Sequence, residues 1–327
     1  MTPTRNLTPE MLADLQEGGR IHWVVDLVLG CPELDFQIRN KSFNVYYRGN
    51  SLMEVHEDNK GRYISRVHRK YLPLDKWSTE GSQLTDHGFH APDAVTFGDS
   101  QDYWLVILDD HPDTYLTGIG DMMAQADALG RYGNELEFEQ LLIRANNWES
   151  RNATDLLVVD RQYARTVDGR SLRMDLVGIE WPRKTSSLKS PVRLVVLEVK
   201  YGLNNDIQEL AQREDGSPGQ LVDYHTLVCG YGDILRADME AIIEQKRQLG
   251  LLCAARFIKG LPDPGILRID DAASTVCYVV ALIDFNPFSK LVGLGSLGDL
   301  PFAKQVRLMH CGFGMWNLRL DAVEDVV

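Results

Sequence analysis

The sequence predicts an α/β fold: a mixed sheet flanked by helices in the second part of the chain, with an additional N-terminal α+β region. Three observations carry this. The apolar runs LLVVDRQYAR, RMDLVGIEW and RLVVLEVKYG follow one another, separated by turn-like stretches at Thr166–Gly169 and Pro182–Pro191. Helical patterns lie on either side of them, GNELEFEQLLIRANNW before and the segment from Gln220 after. A further apolar run, TVCYVVALIDF, comes last. The order helix, three strands, helix, strand over roughly 121–285 is that of a sheet covered by helices.

Taken in chain order, Thr8-Pro9-Glu10 reads as a helix start, and IHWVVDLVLG as an apolar strand or a buried helix. FNVYYRG, NSLMEVHED and GRYISRVH read as short strands, turned at Gly49-Asn50 and at Asn59-Lys60-Gly61. Asp75 to Asp102 is mixed and rich in turn residues, and YWLVILDD reads as a buried strand. Pro112 to Gly120 reads as a connection, and Asp121 to Trp148 as helix interrupted near Gly130–Gly133. This divides the chain into an N-terminal region, 1–120, and a second domain, 121–327. Beyond the three strands, DIQELAQ is read as helix, Ser217-Pro218 as the start of the next one, ADMEAIIEQKRQLGLL as another, and KQVRLMHCGFGMWNL as a closing strand.

The bulk numbers exclude several classes. With 44% hydrophobic and 25% charged residues, the 327-residue chain has the composition of a globular protein with a sizeable core. No stretch reaches the roughly 20 apolar residues that span a bilayer, and the N-terminus lacks the order of a signal peptide. A cytoplasmic location with no membrane partner is the expectation. The five cysteines are widely spaced with no CxxC pair, which argues against a thiolate zinc site or a disulfide framework. There is no GxxxxGK[ST], no GxGxxG directly following a strand run and no GxSxG.

The chemistry concentrates in RLVVLEVKYG. On a strand, alternate side chains share a face, so Glu198 and Lys200 project together and away from Leu197 and Val199. A carboxylate and an ammonium ending an apolar strand are costly unless paired, bound to metal or solvated. RMDLVGIEW supplies Asp175, and a return of the chain as the neighbouring strand sets it beside Glu198. Two such carboxylates, with the Val199 carbonyl, make a hard-oxygen site suited to Mg²⁺ or Mn²⁺. The competing reading is an exposed strand end with a cross-strand ion pair to Arg173 or Asp175. Upstream, Glu139 lies on an amphipathic helix. Downstream, Gln220 and Tyr224 are spaced i, i+4 and share a helix side.

Glu139, Asp175 in RMDLVG, Glu198-Val199-Lys200 in VVLEVK and the Gln220–Tyr224 pair together resemble the PD-(D/E)XK nuclease superfamily. The last element is similar to the QxxxY motif of its RecB-like branch. About 90 of the residues are covered by the likeness. It implies a restriction-endonuclease-like core of helix, three strands, helix and strand, and Mg²⁺- or Mn²⁺-dependent cleavage of DNA or, less often, RNA. It further implies Asp175, Glu198 and the Val199 carbonyl as metal ligands, Glu139 as an auxiliary ligand or water-orienting acid, and Lys200 as catalytic lysine. Gln220 and Tyr224 would help to hold the lysine and the DNA strand. Asp175 follows Met174 where the motif's name has proline, a position that varies within the superfamily. No cysteine cluster flanks the core, unlike the iron–sulfur RecB-like enzymes.

The formal net charge of −13 is unusual for a nucleic-acid binder. One stretch departs from it: Arg39 to Lys70 carries eight Lys/Arg against three acids, interleaved with Phe43, Tyr46, Tyr47, Tyr63 and Tyr71. It reads either as a nucleic-acid surface with stacking aromatics or as a sheet whose tyrosines pack inward. A catalytically silent or partner-dependent module of a DNA-processing or defence complex, or a homodimer, is the alternative to a self-sufficient nuclease. His87 and His90 read as solvated loop residues.

Overall fold

The computed structural model describes residues 3–71, 89–90, 103–108, 112–129, 134–149, 154–167, 169–181, 191–201, 209–252, 268–283, 294–311 and 323–325. Its internal contacts divide the chain into Thr4–Leu136 and Glu137–Val327, the latter joined by the first three residues. The boundary expected at residue 120 falls inside a helix of the first unit.

That unit opens with α1 (Pro9–Leu15) and α2 (His22–Gly30). Thr8 caps α1, its Oγ1 accepting from the Met11 N–H at 3.1 Å, and proline begins the first turn. IHWVVDLVLG is therefore helix, not strand. Six antiparallel strands follow: β1 (Leu34–Ile38), β2 (Ser42–Tyr47), β3 (Asn50–Glu57), β4 (Tyr63–His68), β5 (Phe89–His90) and β6 (Tyr103–Ile107), in the order β1-β2-β3-β4-β6-β5. The turn between β2 and β3 needs its glycine twice over. Gly49 has φ +77°, and a Cβ there would lie 2.5 Å from that of Leu136. Residues 112–120, expected as a connection, instead begin α3 (Pro112–Ala128). Pro112 stands at its first position, where a missing N–H costs nothing. Most of Asp75–Asp102, including His87, lies outside the described residues, as does Cys253.

The basic stretch forms part of this sheet. Phe43, Tyr47, Tyr63 and Tyr71 are buried, so their rings pack inward and are not a platform for bases. Arg62 pairs with Asp58 at 2.7 Å, Arg66 with Glu54 at 3.6 Å and Arg48 with Asp127 at 3.2 Å, which spends much of the local positive charge. Tyr63 donates to Asp14 Oδ2 at 2.8 Å, and Arg20 donates to the same oxygen at 2.8 Å while lying over the tyrosine ring. Burial raises the Asp14 pKa, but these hydrogen bonds outweigh it and hold the carboxyl below its ordinary 3.8. Because the folded-state pKa is depressed, this contribution is present above about pH 4 and lost on acidification through the folded value. Asp14→Ala removes the carboxylate that accepts from Tyr63 and Arg20, and a loss of about 1–3 kcal/mol is expected. Urea denaturation at pH 7 and at pH 3 checks it; an equal loss at both pH values would contradict the ionic origin.

The second unit begins with α4 (Asn134–Arg144, its first residues belonging to the other unit), extended by a π-helical turn, Ala145–Glu149. Its sheet contains β7 (Leu156–Val167), β8 (Arg170–Glu180), β9 (Leu194–Tyr201), β10 (Cys277–Ile283), β11 (Val306–Cys311) and β12 (Glu324–Asp325), side by side as β12-β11-β10-β9-β8-β7. β7, β8 and β9 form an antiparallel meander, β10 runs parallel to β9, and β11 parallel to β10. The crossover to β10 contains α5 (Gln220–Gln248). The fold is α/β with mixed and antiparallel sheets flanked by helices. Leu142 and Ile143 of α4 pack with Leu156, Val158, Leu176, Val195, Leu197, Val199 and alternate residues of β10 in one apolar core.

Three expectations change here. The two helices read after Gln220 are one, kinked at Tyr231 where the backbone leaves helical geometry (φ −135°, ψ 19°). Gly230 and Gly232 mark the place without ending the helix. The N-cap is Gly219, not Ser217-Pro218. A Cβ at 219 would lie 2.3 Å from the Glu209 carbonyl oxygen, so close approach of backbone selects glycine. The start of DIQELAQ, residues 206–208, lies outside the described residues, and its described part opens with a short 3-10 turn and is not an α-helix.

At the sheet's end, Asn147 of the π turn donates to the Val158 carbonyl at 2.8 Å and accepts from the Val158 N–H at 2.9 Å. Lys246 of α5, itself buried, donates to the Val159 carbonyl at 2.9 Å.

Candidate active site

β8 and β9 are paired from Leu176↔Leu197 to Ile179↔Leu194. Continuing that register by one residue sets Asp175 opposite Glu198, and the Val199 N–H donates to Asp175 Oδ2 at 2.9 Å. The ladder ends here because Asp175 takes, with its side chain, the N–H that a backbone carbonyl would otherwise accept. Leu197 and Val199 enter the apolar core while Glu198 and Lys200 project to the opposite face, as their spacing predicts. Both are buried. Lys200 Nζ forms an ion pair with Glu198 Oε1, and the Tyr224 hydroxyl of α5 donates to Glu198 Oε2. Tyr224 thus engages the carboxylate, not the lysine as the motif resemblance implies. Gln220, one turn before it, keeps a buried Oε1 with no hydrogen-bond partner among the described residues.

Glu139 is held separately. Arg161 donates to its Oε2 at 2.9 Å and Gln162 to its Oε1 at 2.6 Å; Arg161 also reaches Gln140 Oε1 at 2.8 Å. Arg161 is completely buried, and the pair it makes with Glu139 is desolvated on both sides. These partners were not singled out in the sequence. Two backbone features direct them: the ladder between β7 and β8 slips between Val158 and Asp160, and Gln162 adopts φ +53°. One signal was available, since Asp160-Arg161 interrupts an apolar strand and buried charges must be paired.

The electrostatics couple the three acids. Burial pushes the Asp175 carboxyl well above 3.8, and the charges of Glu198 and Glu139 push it further, against the opposing Val199 hydrogen bond and Lys200. Burial raises Glu139 as well, with Glu198 adding to it, although Arg161 and Gln162 pull the other way. Tyr224 is raised well above 10 by burial and then by Glu198 and Asp175, which keeps its hydroxyl a donor.

Among the described residues, no set of three or more His, Cys, Asp and Glu side chains is arranged to enclose a metal. The donor chemistry of the smaller set fits a hard divalent cation. Asp175 and Glu198 are opposed carboxylates whose repulsion an added positive charge relieves, with the Val199 carbonyl beyond the last ladder pair. Glu139 stands beside this set with both oxygens already hydrogen-bonded.

A cavity of about 450 Å³ lies towards the other end of these strands, lined by Glu180, Arg193, Cys277 and Arg307 among others. None of the residues above borders it. No described helix is long and apolar enough to cross a membrane. Scans against protein-family models, curated proteins and solved structures found no match to the chain.

Proposed function

We propose that the chain is a metal-dependent nuclease that hydrolyses phosphodiester bonds of DNA, with a restriction-endonuclease-like core formed by α4, β7–β9, α5 and β10. The observation that carries the reading is the opposition of Asp175 and Glu198 at the end of the β8–β9 ladder, with Lys200 next on the same face and Tyr224 bonded to Glu198. The sequence of helix, antiparallel meander, helix and parallel strand supports it.

Asp175, Glu198 and the Val199 carbonyl would hold Mg²⁺ or Mn²⁺, which supplies water activation, polarisation of the phosphoryl oxygen and stabilisation of the leaving alkoxide. The chain's own groups do the rest. Tyr224 fixes the Glu198 carboxylate in orientation. Lys200, delivered to the same point by its place two residues on, orients the attacking water or offsets the charge developing on phosphorus oxygens. Arg161 and Gln162 hold Glu139 close enough to bias the charge of the pair. The buried Gln220 Oε1 offers an acceptor at the start of α5.

Cleavage of labelled linear and circular DNA and of RNA, by wild type and Lys200→Ala with Mg²⁺, Mn²⁺ or EDTA, tests the proposal. Cutting by wild type alone and only with metal is expected. Silence across the panel would move the reading to a partner-dependent or catalytically silent module.

A further inference from the structure

The β7–β8 hairpin runs on past the end of the sheet. β9 pairs with β8 only from Leu176 onward, whereas β7 and β8 remain paired to Val167↔Arg170. The two-stranded extension has two unlike sides. Tyr163, Leu172 and Met174 are buried, Tyr163 donating to Asp238 Oδ2 of α5 at 2.8 Å. Two of its arginines are also engaged by α5 or its approach: Arg165 lies over the Tyr231 ring at 4.8 Å, and Arg170 reaches Asp223 at 3.4 Å, a carboxylate it shares with Arg213. The other side is open. Ala164, Thr166, Ser171 and Arg173 are all exposed, with Ala164 opposite Arg173 and Thr166 opposite Ser171.

Arg173 differs from its neighbours. It makes no hydrogen bond, ion pair or ring contact with any described residue, although the chain carries 47 acids against 34 Lys and Arg. Strand alternation places it on the same face of β8 as Asp175, about 7 Å along. A small residue across from it leaves its guanidinium unobstructed. A planar fork of donors matches a phosphate, and a nucleic-acid strand presents one negative charge about every 3.4 Å of helix rise, so a phosphate flanking the one at Asp175 is in reach.

We propose that the open side of this hairpin is a contact surface for the DNA backbone, with Arg173 gripping a phosphate next to the scissile one; this rests on the nuclease reading above. Chemically, the surface fits a strand laid along it: small and hydroxylated side chains allow close approach, and one unspent cation supplies the attraction. In a protein of this net charge, such a contact sets where along the strand the cut falls.

The test is the salt dependence of binding to a labelled DNA duplex and to its single strand, measured by anisotropy in the Lys200→Ala background with Mg²⁺ held constant. Arg173→Ala is expected to lower the slope of log Kobs against log salt by about 0.7–0.9 and to weaken binding about fivefold near 0.1 M salt. Arg173→Lys should recover most of the slope, since it restores the charge. Arg247→Ala, which removes a charge ion-paired to Glu244, is the control expected to leave the slope unchanged. An Arg173→Ala slope equal to that of the control overturns the proposal and leaves the nuclease reading standing. No binding of either DNA by the parent protein overturns both.

Discussion

Arg161→Met is expected to destabilise the second unit by about 3–5 kcal/mol, because it strips the charge partner from a buried carboxylate. Arg161 is fully buried against Glu139, and its other nitrogen satisfies Gln140. Methionine fills similar volume but offers no donor, so Glu139 must either take up a proton or open the structure to water. Pairing the change with Glu139→Gln removes the stranded charge and should recover more than half of the loss. Urea denaturation of the two single variants and the double variant forms the cycle. A double variant no more stable than Arg161→Met would mean that packing, not charge, is what Arg161 supplies. The same measurement separates structure from chemistry at Glu139, since Glu139→Gln alone keeps the side chain's size while removing its charge and one of the two acceptors that Arg161 and Gln162 use.

The second large effect falls on the opposed carboxylates. Glu198→Gln is expected to lower metal-dependent cleavage by on the order of 10²–10³-fold or more and to remove Mn²⁺ binding in calorimetry. Asp175→Asn should do the same while raising the stability of the metal-free protein at neutral pH. The sign follows from the direction of the shift. Asp175 has a folded-state pKa raised above 3.8, so the folded state holds an extra proton between 3.8 and that raised value. Stability therefore falls as pH rises through that window, so the protein carries a penalty at neutral pH that is absent below 3.8. Asparagine abolishes it while still accepting from the Val199 N–H, and a gain of about 1 kcal/mol corresponds to a Tm about 2–4 °C higher for a unit of this size. The gain should vanish below pH 3.8. A variant with unchanged Mn²⁺ affinity would remove Asp175 from the ligand set, and an acid-insensitive gain would remove the electrostatic explanation.

Much of this was legible in the sequence. The three meander strands, the hairpin turns at Gly49 and Gly61 and the projection of Glu198 with Lys200 all follow from period-two alternation and from glycines at turns. Long-range placement was not. Nothing local in Asp175 says that its side chain takes the Val199 N–H, or in Tyr224 that its hydroxyl meets Glu198. The first half of α3 was hidden because Pro112, Gly118 and Gly120 look like loop residues, although proline suits a helix start. The clamp on Glu139 depends on a slipped register and on a left-handed backbone at Gln162, neither of which glutamine advertises. Asp238 and Lys246, polar residues of a long helix, gave no sign that they would be buried against β7.

The hydrogen bonds that Asn147 and Lys246 make to β7 bear on how copies of this protein can associate. β7 is the outermost strand of its sheet, and a bare outer strand invites another chain to add itself there. At Val158 the Asn147 carboxamide imitates one residue of a neighbouring strand, taking the N–H and serving the carbonyl together; at Val159 the Lys246 ammonium covers the next carbonyl. Strand addition is thereby closed off along this stretch without a proline or a surface charge cluster. A second chain that extended the sheet from β7 would have to do so beyond Val158 and Val159.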